Sequence, residues 1–124
     1  MKILIVEDEA IIALHLKTIV TDAGFDALGP ASTMEQALAY APQAEIALID
    51  VGLADGKSGF QLARRLIDRH YTTVIFITGI SSVIDTGFAG AFAIIEKPFV
   101  DDAVAEALRR AGSMRLAGGL TVPS

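Results

Sequence analysis

The sequence predicts an α/β fold, a doubly wound sheet of five parallel strands with about five flanking helices. Three observations carry this prediction. Short apolar runs rich in β-branched residues recur at Ile3-Leu4-Ile5-Val6, Ile46-Ala47-Leu48-Ile49, Val74-Ile75-Phe76-Ile77 and Ile94-Ile95, and such runs read as strands buried on both faces of a parallel sheet. They alternate with segments whose apolar residues recur at helical spacing. Each run also ends on residues able to do chemistry, namely Glu7-Asp8, Asp50, Thr78 and Lys97-Pro98. Open α/β sheets gather functional groups at the carboxyl ends of their strands, so these residues are expected in one crevice.

The elements follow in order. After the first strand, Glu9 to Ala23 carries Ile12, Leu16, Ile19 and Val20 near helical spacing, with Gly24 as a stop. Phe25 to Leu28 predicts a short second strand closed by Gly29-Pro30. Ser32 and Glu35 have the spacing of a capping box for a helix through Tyr40, and Pro42 follows it. The third strand is expected from Glu45 to Asp50, and the loop Val51 to Lys57 is rich in turn formers. Ser58 is a candidate cap for a helix to about Arg69 that buries Leu62, Ala63, Leu66 and Ile67. A fourth strand ends at Thr78 and a fifth lies near Phe92 to Ile95. The helix between them is the weakest element, because Gly79, Gly87 and Gly90 fall in it and glycine costs about 1 kcal/mol per helix-interior position relative to Ala. Asp101 caps a last helix carrying Val104, Leu108 and Ala111 on one face, and the tail from Gly112 through Gly118-Gly119 reads as frayed. One domain over residues 1–116 and a flexible tail at 117–124 result.

The bulk numbers agree. A chain of 124 residues with 52% hydrophobic residues fills one domain core. A formal charge of −5 argues against a nucleic-acid surface, which is normally basic. There is no cysteine, hence neither disulfides nor thiolate metal sites. Met1-Lys2 runs into an apolar stretch too short for a signal peptide or a membrane span, so a cytoplasmic location without membrane contact is the expectation.

Three acids, a hydroxyl and a lysine suit a divalent cation and a phosphoryl group. Carboxylates held together repel, and they either share a proton or recruit a cation. Mg2+ prefers a few carboxylates plus waters and phosphate oxygens. Asp8 and Asp50 are the candidate direct ligands, with Glu7 acting directly or through water and the Gly52 backbone carbonyl completing the set. Asp50 is the candidate phosphoacceptor, since aspartyl phosphate is an established form of covalent catalysis. Lys97 would pair with a phosphate oxygen, Thr78 would donate its hydroxyl to another, and Gly79 leaves room for the group to enter. Each piece alone has a blander reading: Glu7-Asp8-Glu9 as helix N-terminal charge, Thr78 and Lys97 as ordinary loop residues. The site rests on their joint order at strand ends. His15 and His70, Arg64-Arg65 and Arg109-Arg110 read as surface residues on helices, and Phe60, Phe76 and Phe99 as packing.

At these residues the chain resembles the receiver domain of bacterial two-component response regulators, over residues 1 to about 116. The match is carried by ILIVEDE at 3–9, ALIDVGLADGKSG at 47–59, FITG at 76–79 and EKPF at 96–99. The resemblance implies a flavodoxin-like strand order 2-1-3-4-5, Mg2+ at the acid pair and Asp50, and Thr78 and Lys97 as switch hydroxyl and phosphate-pairing lysine. It implies a histidine kinase or phosphotransfer protein as donor, and slow loss of the phosphoryl group rather than an enzyme's turnover. It also implies a cis Lys97-Pro98 bond, and a downstream protein partner on the face of the fourth helix, fifth strand and fifth helix. Two departures matter. Ala54 stands where the family usually has proline, and Ile94 stands where it has a switch aromatic, for which Phe92 on the same strand face is the candidate substitute. FITGI is similar to a subgroup common in alphaproteobacteria with the motif Phe-Ala-Thr-Gly-hydrophobic-Tyr, which implies a single-domain regulator in a branched phosphorelay.

The alternatives are a phosphatase, a pseudo-receiver that never takes a phosphoryl group, and a receiver cut from a longer regulator. The first lacks the Asp-x-Asp order, since Val51-Gly52 follows Asp50. The second is opposed by all five site positions being filled.

Overall fold

Buried apolar runs with nothing to distinguish their two faces form the sheet. In the computed structural model of the chain, residues 1–52, 58–79 and 88–118 are described. Strands β1 (Lys2–Val6), β2 (Asp26–Ala31), β3 (Ile46–Asp50), β4 (Thr73–Thr78) and β5 (Ala93–Glu96) pair in parallel in the order β2-β1-β3-β4-β5, the order the resemblance implies. Four helices lie among the described residues: α1 (Ala10–Asp22), α2 (Met34–Tyr40), α3 (Ser58–His70) and α4 (Asp101–Leu116). The weak helix predicted between Thr78 and Ile94 falls mainly at 80–87, outside the described residues, as do the loop position Ala54 and the tail from 119. Among the described residues no helix is long and apolar enough to cross a membrane.

Strand alternation sorts the core into two layers. Leu4, Val6, Ala47, Ile49, Val74 and Phe76 face one side, where Leu62, Ala63 and Leu66 of α3 and Ala37 of α2 cover them. Ile3, Ile5, Ile46, Leu48, Ile75 and Ile77 face the other, under Leu16, Ile19 and Val20 of α1 and Val104, Leu108 and Ala111 of α4. Burying each Val, Leu, Ile or Phe side chain among them contributes about 1.5–3 kcal/mol. Both faces being dry is why these strands read as unbroken apolar runs. On the α3 side Phe60, Phe76 and Phe88 form an aromatic cluster, and Arg64 lies over Phe88 while donating to the Ala89 carbonyl at 2.7 Å.

Several predicted boundaries move. β2 runs through Gly29-Pro30 to Ala31 instead of stopping at Leu28. Gly29 takes a φ of +92°, a Cβ there would meet Ala31 N at 2.8 Å, and the pairing with β1 shifts between Leu4 and Val6. The strand thus absorbs a bulge at residues that read as terminators. The capping box slides by one: Thr33, not Ser32, caps α2 by accepting from Gln36 N, and Gln36 Oε1 reaches back to Ser32 N at 2.8 Å. Ser58 is the first residue of α3 rather than the residue before it. Val100, not Asp101, is the N-cap of α4 and makes no side-chain cap; Asp101 and Asp102 complement the helix dipole from its first turn. α4 continues to Leu116, with Gly112 buried against the Phe25 ring, so the chain stays ordered past the point predicted to fray.

Candidate functional site

Strand register brings the predicted residues together. Val6 pairs with Ile49, Asp50 with Ile77 and Thr78 with Glu96, so the ends of β1, β3, β4 and β5 stand side by side at one edge. Glu7, Asp50 and Thr78 are 2%, 4% and 2% exposed, whereas Asp8 is exposed. Carboxylate oxygens of Glu7, Asp8 and Asp50 all lie within 4.8 Å of one another. Opposite them, Lys97 Nζ lies 3.1 Å from Glu7 Oε2 and 3.4 Å from Asp50 Oδ2. The backbone holds these groups in place. Lys97 N donates to the Thr78 carbonyl at 2.8 Å, Gly52 N to Asp50 Oδ1 at 2.9 Å, and Glu9 N to Glu7 Oε1 at 3.2 Å. The Lys97-Pro98 bond is cis, as the resemblance implies.

The electrostatics show a site short of positive charge. Burial, then the hydrogen bond and negative charge of Asp50, push the Glu7 carboxyl up to about 7, against the smaller opposing effects of Glu9 N and Lys97. Lys97 is pushed up from its ordinary value: burial lowers it, but pairing with Glu7 and Asp50 outweighs that. With all three acids ionised and one lysine charged, the group carries a net −2 (three minus one). Hard oxygen donors held this close, with excess negative charge, match what a divalent cation such as Mg2+ requires.

The structure places Glu7, Asp8, Asp50, Thr78 and Lys97 where the strand ends predicted them. At Gly52 the contact seen is from its amide to Asp50, rather than from its carbonyl. A Cβ on Gly79 would meet nothing within 4 Å, so space is open there. Phe92 does not sit at the switch position. Its backbone N–H bonds the Val74 carbonyl, four residues or roughly 13 Å along β4 from Thr78, and Arg110 lies over its ring. Ile94 itself is 41% exposed.

Sequence reasoning missed Gly59. A Cβ there would lie 3.0 Å from the Asp50 carbonyl oxygen and 3.1 Å from Val51 Cα, so only glycine lets the first turn of α3 press against the end of β3. The available signal was a glycine directly after the predicted cap Ser58, at the start of a predicted helix, where propensity disfavours it. Gly59→Ala is expected to lower stability by about 1–3 kcal/mol, read from urea unfolding. A variant as stable as the parent would show that this approach is not tight.

Comparisons with known proteins bear on this arrangement. The model of the response regulator receiver domain matches residues 3–109. The phyllosphere-induced regulator PhyR of Methylorubrum extorquens is 36% identical over 102 residues, covering 79% of this chain, which spans 38% of that protein's length. Among solved structures, a CheY-like receiver domain protein from Methanospirillum hungatei superposes with TM-score 0.81 at 28% identity, over 94% of this chain and 98% of that one. A mutant of the anti-anti-sigma factor PhyR from Bartonella quintana gives 0.82 at 26%, over 94% of this chain and 50% of that one. The chain belongs to the response regulator receiver domain family.

Proposed function

We propose that the chain is a phosphoacceptor receiver of a two-component phosphorelay, taking a phosphoryl group on Asp50 from a histidine kinase or phosphotransfer protein and answering through changed protein contacts. Receiver domains are non-catalytic signalling modules, so the reaction is an input and not a metabolic turnover. The observation that supports the reading is the cluster of Glu7, Asp8 and Asp50 carboxylates within 4.8 Å of one another, with the Lys97 ammonium spanning two of them.

Glu7, Asp8 and Asp50, with the Gly52 carbonyl, would hold Mg2+, which when bound supplies charge neutralisation for the phosphoryl oxygens. The chain's own residues do the rest. An Asp50 carboxylate oxygen attacks phosphorus; the new O–P bond forms as the bond from phosphorus to the donor breaks. The donor leaves with that electron pair, as imidazole from a phosphohistidine or as acetate from acetyl phosphate. Lys97 then turns from Asp50 to a phosphoryl oxygen as a fixed positive charge. Thr78 supplies a hydroxyl donor beside it, and the space at Gly79 admits the group. A ligand shifts a two-state equilibrium only by its differential affinity, so the phosphoryl group must favour one placement of Thr78. Its consequence would reach a downstream protein through the surface around β5 and α4.

The test is intact mass after incubation with acetyl phosphate and Mg2+, with and without chelator. Borohydride reduction of the acyl phosphate followed by peptide mapping locates the adduct. One metal-dependent adduct on Asp50 is expected. The 36% identity to PhyR, of which this chain spans 38%, favours a second reading, the receiver portion of a longer regulator concerned with sigma-factor control. Absence of any adduct, with acetyl phosphate and with a panel of histidine kinases, would select instead a pseudo-receiver that never takes a phosphoryl group.

A further inference from the structure

His15 lies on the side of α1 turned toward the loop that carries Lys97. Its Nε2 stands 2.7 Å from Asp101 Oδ1, and because a carboxylate only accepts, this nitrogen is the protonated one. Its ring stacks on Phe99 with centroids 5.4 Å apart and planes 28° from parallel. Phe99 and Asp101 flank Val100, the N-cap of α4, which makes no side-chain cap of its own. The stretch from Lys97 to Asp101 is therefore tied to β4 at its start, through Lys97 N and the Thr78 carbonyl, and to α1 at its end, through one imidazole. Ile12, Lys97, Pro98 and Phe99 wall the same groove as His15. Charged neighbours of the imidazole are thus Asp101 from α4 and Lys97 from the loop.

We propose that His15 is a positioning residue for phosphoryl transfer to Asp50: by gripping Phe99 and Asp101 it sets the 97–101 loop, and with it the Lys97 ammonium, over the acid cluster. This rests on the phosphoacceptor reading of the site. Both partners are exposed, so the pair adds little to global stability. Its effect is on geometry. Lys97 must meet Glu7 and Asp50 at 3.1 and 3.4 Å from a loop held by β4 at its start and by the buried face of α4 at its end. His15 braces the Phe99–Asp101 junction between them against α1. Small displacements of a reacting or charge-stabilising group cost rate without costing fold.

The test uses full-length His15→Ala and His15→Gln, the second keeping an amide able to donate to Asp101. Two readouts separate the inference from the function it rests on. The first is the Lys97 side-chain NMR resonance in the metal-free protein, expected to shift in His15→Ala and to return largely to the parent position in His15→Gln. The second is adduct formation with acetyl phosphate and Mg2+. Its maximal rate should fall about threefold to tenfold in His15→Ala, with the half-saturating acetyl phosphate concentration unchanged and partial recovery in His15→Gln. An unmoved Lys97 resonance in His15→Ala overturns the proposal, as does an unchanged maximal rate. If the parent protein takes no phosphoryl group, the phosphoacceptor reading fails, while the resonance still decides whether His15 positions Lys97.

Discussion

Asp50→Asn is expected to abolish the phosphoryl adduct and, in the same protein, to raise the stability of the metal-free state. The first effect is chemical. An amide offers no carboxylate oxygen to attack phosphorus, so no acyl phosphate forms. Thr78 has no carboxylate, and Glu7 and Asp8 stand at the end of β1, so neither takes the position of Asp50 at the end of β3. The second effect is electrostatic. Asp50 raises Glu7 both by hydrogen bond and by charge, so removing that charge relieves a repulsion between two buried acids. Lys97 loses its 3.4 Å partner but keeps Glu7 at 3.1 Å, and the local net charge falls from −2 to −1 (three acids to two, against one lysine). Stability without metal near pH 8 should therefore rise by about 1 kcal/mol, an order-of-magnitude figure for partly compensated buried charge. Saturating Mg2+ should stabilise the parent more than the variant, which retains fewer charged ligands. Intact mass and urea unfolding, each with and without Mg2+, check both. A full adduct on Asp50→Asn would move the acceptor to another side chain, and a variant less stable than the parent without metal would deny the repulsion.

Much of this site was legible because its residues are strand ends. A strand buried on both faces announces itself by an unbroken apolar run, and the residue where the run stops is the residue at the sheet's edge. Glu7, Asp50 and Thr78 were found that way, and Lys97 by its place after β5. What the sequence hid were features set by contacts between distant segments. His15 and Asp101 are 86 positions apart, and nothing near either one marks the pair. Gly59 is a glycine because the Asp50 carbonyl lies 3.0 Å from where its Cβ would be, which only the packing of α3 on β3 determines. Local errors had local causes. Ser32 and Thr33 are near-equivalent caps, and the reach of Gln36 decided between them. Gly29-Pro30 reads as a stop but serves as a bulge, since β1 continues to pair beyond it. Phe92 shares a strand face with Ile94, yet lies toward the other end of the sheet, so its resemblance to a substitute aromatic was positional only.

Glu7 should make both stability and metal affinity depend on pH around neutrality, in opposite directions. In the folded state its carboxyl is held up to about 7, against 4.5 in the ordinary case. Between those values the folded protein binds a proton that the unfolded chain has released, so stability falls as pH rises through this window. Below 4.5 the contribution is complete, and above about 7 it is gone. A shift of this size corresponds to about 3 kcal/mol, taken as an upper bound because Asp50 shares the titration. Lys97 has the same sign at higher pH: its folded value is raised, so its contribution is present below the ordinary lysine range and lost as pH rises beyond it. For Mg2+ the direction reverses. Below about 7 the cation must displace the Glu7 proton, so apparent affinity should fall by up to about tenfold per pH unit, and above it the dependence should flatten. Glu7→Gln separates the two effects. It should remove the fall in metal-free stability between 4.5 and 7 and leave a weaker, pH-independent Mg2+ affinity over that range. Urea unfolding and Mg2+ titration at half-unit pH steps read both curves. If the parent's Mg2+ affinity is flat from pH 5.5 to 7.5, a range spanning Glu7's value of about 7, then Glu7 is not protonated in the metal-free site and the charge shortage inferred for the cluster is absent.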